Sequence, residues 1–89
     1  NITVLLVDDH ALLRQTLAYR LNLEPDIEVV GEVSSAQEAV QAVIRYHPRV
    51  VVMDIDMPGQ SCFYAARDIL ANSPETQILF LSAFFHDRY

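Results

Sequence analysis

A doubly wound α/β fold, a parallel sheet with helices on both faces, follows from three observations on these 89 residues. Three short runs, "ITVLLV" at 2–7, "VVVM" at 50–53 and "ILFLSA" at 78–83, are apolar almost throughout, the pattern of strands buried on both faces. Between them apolar residues recur at helical spacing. The connections are short and carry turn residues, so strands and helices alternate strictly as β-α-β-α-β-α-β. That order requires parallel strands joined by right-handed crossovers.

Each element has its own signal. After the first strand, Leu13, Leu17 and Leu21, flanked by Leu12 and Tyr19, form a helical stripe that ends near Glu24-Pro25. "EVVGEV" at 28–33 is shorter and more polar than the other strand runs, as expected of an edge strand. Ser35 stands three residues before Glu38, a capping box, and Ala36, Ala39, Val40, Val43 and Ile44 continue that helix to His47-Pro48. Past Gly59, residues 61–72 place Phe63, Ala66, Ile69 and Leu70 on one side, and Ser73-Pro74 stops the helix.

The totals narrow the class. Eighty-nine residues make one domain with one core, and the composition, 52% hydrophobic and 20% charged, is that of a globular chain. No apolar run approaches the roughly 20 residues of a membrane span. The opening "NITVLLVDDH" lacks the basic start and small-residue cleavage site of a secretory signal, so a cytoplasmic location is expected. One cysteine, Cys62, makes no internal disulfide and is expected to be a buried structural thiol. The net charge of −6, with no lysine, argues against these residues gripping nucleic acid through phosphates.

Chemistry concentrates at the strand ends. In doubly wound sheets ligands bind beyond the carboxyl ends of the strands, where the strand order reverses. Asp8, Asp9, Asp54 and Ser82 each fall at such an end. Three carboxylates within about 5 Å repel by roughly 3 kcal/mol per pair at an effective dielectric of 20, so the rim calls for a cation. Oxygen ligands from Asp9 and Asp54, completed by waters and a backbone carbonyl, suit Mg²⁺. Soft metals are disfavoured, since no His-Cys set has ligand spacing. Taken alone, Asp8-Asp9 could equally be a helix N-cap. Asp56 fits a solvated loop acid better than a side-chain ligand. His10, although next to the acids, is given no catalytic or metal part. His47 and His86 have less claim still, and Phe84 and Phe85 suit packing.

The stretches "VLLVDDHALLRQTL", "EPDIEVVGEVSSAQEAV", "HPRVVVMDIDMPG" and "ILFLSA" resemble, at matching spacing over almost the whole chain, the receiver domains of two-component response regulators, specifically the NarL/FixJ group. The resemblance implies a flavodoxin-like sheet of strand order 2-1-3-4. It implies Asp54 as phosphoacceptor, Asp8 and Asp9 as the acidic pair holding Mg²⁺, and Asp56 as the donor of a backbone carbonyl to the metal. Ser82 corresponds to the hydroxyl switch residue that turns toward the phosphoryl group. The implied partners are a sensor histidine kinase and, through a helix-turn-helix output domain outside this chain, DNA. The protein is then a phosphorylated signalling module rather than an enzyme.

The family's fold continues past the fourth strand with a helix, a fifth strand ending in a lysine, and a last helix. Residues 1–89 are therefore expected to be an incomplete receiver without the family's lysine. Its leucine stripe and fourth-strand edge would lie partly uncovered, a surface for a homodimer. "QSCFYAA" departs from the family's usual acidic-glycine continuation, so partner contacts there do not carry over. Two other readings compete. "DIDMP" also resembles the Asp-x-Asp motif of haloacid-dehalogenase-type phosphatases, with Asp54 as nucleophile and Asp56 as acid/base, although that motif follows the first strand of its fold. The third reading is a receiver-like scaffold that is never phosphorylated.

Overall fold

The computed structural model describes residues 1–57 and 62–81. Its elements run β1 (Ile2–Val7), α1 (Ala11–Asn22), β2 (Ile27–Val33), α2 (Ala36–Tyr46), β3 (Val50–Asp54), α3 (Cys62–Asn72) and β4 (Gln77–Leu81). All strand pairs are parallel, and the sheet order is β2-β1-β3-β4, the flavodoxin-like order expected. The strands match the sequence to within a few residues, with positions 82 and 83 of the fourth run outside the described residues.

Alternation along the strands sorts the core into two layers. Leu5 and Val7 of β1 and Val51 and Met53 of β3 face α2 and α3, where they pack with Ala39, Val43, Ala65 and Ile69, all fully buried. Val4, Leu6, Val50 and Val52 face the other way, toward Leu17, Ala18 and Leu21 of α1. The helices thus lie on both faces of the sheet. β2 sits at an edge, as its polar pattern predicted, and pairs with β1 through a register shift that leaves Val30 as one extra residue.

Local chemistry explains the helix ends. Ser35 caps α2 by accepting the Glu38 N–H at 3.2 Å, and the Glu38 carboxylate accepts from the Ser34 N–H and from the Ser34 and Ser35 hydroxyls. These bonds hold the Glu38 carboxyl below its usual range, the Ser34 hydroxyl contributing most. His47 closes α2 in the left-handed conformation, φ 48°, and donates its N–H to the Val43 carbonyl before Pro48 prevents continuation. At the far end of α3, Ser73, Thr76 and the Pro48 carbonyl form a buried hydrogen-bonded chain that ties the helix exit to the start of β3.

Three expectations about burial are corrected. The fourth strand, read as buried on both faces, is half open, with Leu79 54% exposed, because α1 does not extend across that end of the sheet. The inward side of α3 is Cys62, Ala65, Ala66 and Ile69, whereas Leu70 is exposed and Phe63 is 64% exposed, its ring tilted against that of Phe80 with centroids 5.3 Å apart. Small residues win that face because α3 approaches α2 closely. On α1, Leu12, Leu13 and Tyr19 are exposed, in keeping with the partly uncovered leucine stripe expected, and Ala18 is the buried residue. Ile44 of α2 is also largely exposed.

Candidate functional site

The strand order reverses between β1 and β3. From β1 the chain goes outward to β2 and then returns to the other side, leaving a crevice beyond the carboxyl ends of the two central strands. The register Val7↔Met53 places Asp8 and Asp54 one step further along, side by side. Both continue the parity of Leu6 and Val52, so the same alternation that builds the α1-side core brings these carboxylates together.

Asp8 is fixed by three bonds. Its N–H donates to the Val33 carbonyl at 3.1 Å, its Oδ1 accepts the His10 N–H at 2.8 Å, and its carbonyl accepts Arg14 Nη1 at 2.7 Å. Arg14 also pairs through Nε with Glu32 at 3.2 Å, so the guanidinium ties the end of β1 to β2. Asp9 is exposed. His10 is the N-cap of α1 and uses no side-chain cap, so the acids are not capping α1 directly. The Asp8-to-His10 N–H bond is a short Asx-type turn leading into the helix.

Asp54 is 3% exposed. Its Oδ1 accepts the Asp56 N–H at 2.9 Å, and its buried Oδ2 has no hydrogen-bond partner. Leaving a buried carboxylate oxygen without a hydrogen bond is costly, and such an atom at a cleft suits a cation or an incoming electrophile. Burial raises the Asp54 pKa most, aided by the charges of Asp8, Asp56 and Asp9 and opposed by the Asp56 N–H.

His10, for which the sequence predicts no part, completes the cluster. Its Nδ1 lies 3.1 Å from Asp8 Oδ1, 3.2 Å from Asp9 Oδ1 and 3.7 Å from Asp54 Oδ2. Its pKa is raised first by the hydrogen bond to Asp8, then by the charges of Asp9 and Asp8. One ligand atom each from Asp8, Asp9, His10 and Asp54 falls within 4.8 Å of all the others. The clue was the adjacency of His10 to the acid pair. What the sequence did not give was the turn that folds the imidazole back over them. The exposed Asp56 offers its N–H inward, and its carboxylate is not one of the four clustered groups. Ser82 lies outside the described residues. A rim of three carboxylates with an orphaned oxygen fits a hard divalent cation, and the hard-oxygen set agrees with Mg²⁺.

Comparison with known proteins gives this geometry a family. The response regulator receiver domain matches residues 4–89. The chain belongs to that family. This receiver is 38% identical over 86 residues, 97% of its length, to the transcriptional regulatory protein LiaR of Bacillus subtilis (strain 168). It is 41% identical, over 97% of its length, to a protein-glutamate methylesterase/protein-glutamine glutaminase of Shewanella frigidimarina (strain NCIMB 400). It spans 41% of the first relative and 21% of the second. Among solved structures it superposes on the signal receiver domain of the putative response regulator NarL from Mycobacterium tuberculosis, with a TM-score of 0.85, 29% identity, and coverage of 93% of this chain and 67% of that one. The receiver is thus a module of two-component signal transduction. Among the described residues no helix is long and apolar enough to cross a membrane.

Proposed function

We propose that this receiver is of the NarL/FixJ type and is phosphorylated on Asp54 by a sensor histidine kinase. The observation that carries the reading is the buried Oδ2 of Asp54, without a hydrogen-bond partner, at the mouth of an acidic rim. A carboxylate oxygen of Asp54 attacks the phosphorus of the kinase phosphohistidine. The P–N bond breaks as the P–O bond forms, and the imidazole leaves as the acyl phosphate appears on Asp54. Asp8, Asp9 and Asp54, with the backbone carbonyl of Asp56, would hold Mg²⁺. The ion's contribution is to offset repulsion between the carboxylates and the incoming phosphoryl oxygens.

The protein's own residues supply position. The β1/β3 register sets Asp8 beside Asp54, the Asp56 N–H orients the Asp54 carboxylate, and Arg14 anchors the Asp8 backbone. Ser82, the first residue after β4, is proposed to turn toward the acyl phosphate, whose charge of about −1.5 to −2 would bias the surrounding surface. Residues 1–89 would belong to one receiver domain. In the whole protein, output would pass to a helix-turn-helix DNA-binding domain in the cytoplasm, in keeping with the likeness to the transcriptional regulatory protein LiaR. The phosphatase alternative on Asp54 and Asp56 is not favoured, because the clustered acids are Asp8, Asp9 and Asp54 on a receiver fold.

The test is incubation with acetyl phosphate and Mg²⁺, followed by mass spectrometry with borohydride trapping. One phosphoryl group per chain on Asp54, absent without Mg²⁺ and in Asp54→Asn, is expected. Steady turnover of a generic phosphate ester would support the phosphatase, and no modification at all would support the unphosphorylated scaffold.

A further inference from the structure

We infer that Glu32, on the edge strand β2, is a positioning residue for the acidic rim and acts on it through Arg14. The inference rests on the proposed Mg²⁺ site and deepens it.

A bulge aims Glu32. Up to Val4↔Val29 the strands β1 and β2 pair residue for residue, and past the extra Val30 the register resumes one step later, as Leu5↔Gly31 and Leu6↔Glu32. The shift reverses the faces of β2. Val29 packs in the α1-side layer and Val33 in the α2/α3 layer, although an even separation along one unbroken strand would keep them on the same side. Glu32 therefore shares the face of Leu6, and its Oε1 accepts Arg14 Nε at 3.2 Å. Without the extra residue it would point away from α1.

The second observation is how the chain leaves β1. Both backbone groups of Asp8 are held from β2. Its N–H donates directly to the Val33 carbonyl at 3.1 Å, and its carbonyl accepts Arg14 Nη1 at 2.7 Å from the guanidinium that Glu32 holds. The Arg14 N–H also donates to the His10 carbonyl at 2.9 Å. These bonds fix the peptide that leads into Asp9 and the one that leaves His10, so the exposed Asp9 carboxylate is carried on a bracketed turn. A planar guanidinium can serve two partners in different directions, which the point charge of a lysine does not reproduce.

Charge and position predict opposite signs at Arg14. By Coulomb attraction alone, losing a cation beside a cation site should tighten Mg²⁺ binding. If Arg14 sets the turn, its loss should weaken binding, as the loss of groups that orient metal ligands does. Glu32 separates the two causes differently, since glutamine removes its charge and keeps an oxygen for Nε.

Mg²⁺ calorimetry and urea titration of the chain and of Arg14→Met, Glu32→Ala, Glu32→Gln and Arg14→Met/Glu32→Ala test this. Mg²⁺ affinity should fall about ten-fold in Arg14→Met and about five-fold in Glu32→Ala, and stay within about two-fold of wild type in Glu32→Gln. The double variant should match Arg14→Met alone, because Glu32 acts through that side chain. In the metal-free chain the His10 N–H, bonded to Asp8 Oδ1, should exchange with solvent faster in Glu32→Ala, while the urea midpoint stays near that of wild type. Tighter binding in Arg14→Met, equal losses in Glu32→Ala and Glu32→Gln, a double variant that shows the product of both losses, or a loss that only follows a fall in urea midpoint would overturn the role of Glu32 and leave the carboxylate site standing. Wild type that binds no Mg²⁺ would remove the site itself and the inference with it.

Discussion

The two faces of the sheet are built to different standards. Toward α2 and α3, Leu5, Val7, Val51 and Met53 meet two helices whose contact residues are small, so the layers approach closely and the large side chains are fully enclosed. Toward α1, the one helix on that face among the described residues leaves β4 open, and Leu17, Leu21, Val50 and Val52 are only partly buried around Val4, Leu6 and Ala18. The acidic rim straddles this divide. Asp54 ends β3, which the α2/α3 layer holds rigidly from behind, while Asp8, Asp9 and His10 form the loop that opens the thinly packed helix. Asp54 therefore ends a strand enclosed by the tighter layer, and of the groups around it the exposed Asp9 and His10 sit where movement costs least.

Breaking each face in turn gives the largest predicted contrast. Ile69→Ala, at a fully buried site, should lower stability in urea titrations by about 3 kcal/mol, because the close-packed layer cannot collapse into the void. Leu17→Ala, half-buried on the opposite face, should cost only about 1 kcal/mol. Equal losses would mean that the two faces are packed alike.

Gly31 probes the tighter face from its edge. A Cβ there would meet Leu5 Cδ1 at 3.1 Å and Tyr46 Cε2 at 3.3 Å, so Gly31→Ala should cost about 1 kcal/mol by overpacking. Tyr46 ends α2 and is partly exposed, so removing its ring relieves half of the conflict. The double variant Gly31→Ala/Tyr46→Ala should lose less than the sum of the two single changes.

The same contrast decides what was legible beforehand. Apolar runs marked β1 and β3 because their residues are buried on both sides, and the Ser35-Glu38 box marked α2 because capping is local chemistry. The burial of β4, and the exposure of Phe63 and Leu70 on α3 beside the buried Ala66 and Ile69, depend on what lies across from them. Phe63 is apolar and at the right spacing, yet the buried face of α3 is Cys62, Ala65, Ala66 and Ile69, with small residues at three of the four positions. At the site, strand parity was enough to unite Asp8 and Asp54. His10 needed a turn geometry that no periodicity encodes.

Charge at the rim gives a smaller effect, opposite in sign. Asp54→Asn should raise the stability of the metal-free chain at neutral pH, by on the order of 1 kcal/mol, because it removes a buried anion with an unpartnered oxygen. The sign follows from linkage. A carboxyl whose folded pKa is raised penalises folding once ionised, so the penalty is absent below the ordinary carboxylate range and fully present above the folded pKa. The gain from Asp54→Asn should therefore vanish in acid. It should also shrink when Mg²⁺ is added, since the ion stabilises wild type alone. Thermal melts at acidic and neutral pH, with and without Mg²⁺, measure both differences.

The smallest expected effect lies on the exposed half of the rim, at His10. Its folded pKa lies above the ordinary histidine value because the imidazolium is bonded to Asp8 and faces Asp9. Protonated His10 thus adds stability that is complete below the unfolded pKa and is lost as pH rises through the folded one. This trend runs in the same direction as that of Asp54 and against that of Glu38 on α2, whose lowered pKa adds stability as it ionises, so the rim's own contribution should decline on both counts as it becomes more anionic. An NMR titration of the His10 ring should find its midpoint above 6.5, and Asp8→Asn, which removes the leading cause, should bring it back toward that value. A midpoint in Asp8→Asn as high as in wild type would transfer the effect to Asp9, and with it the hold on the imidazole from the anchored strand end to the exposed loop.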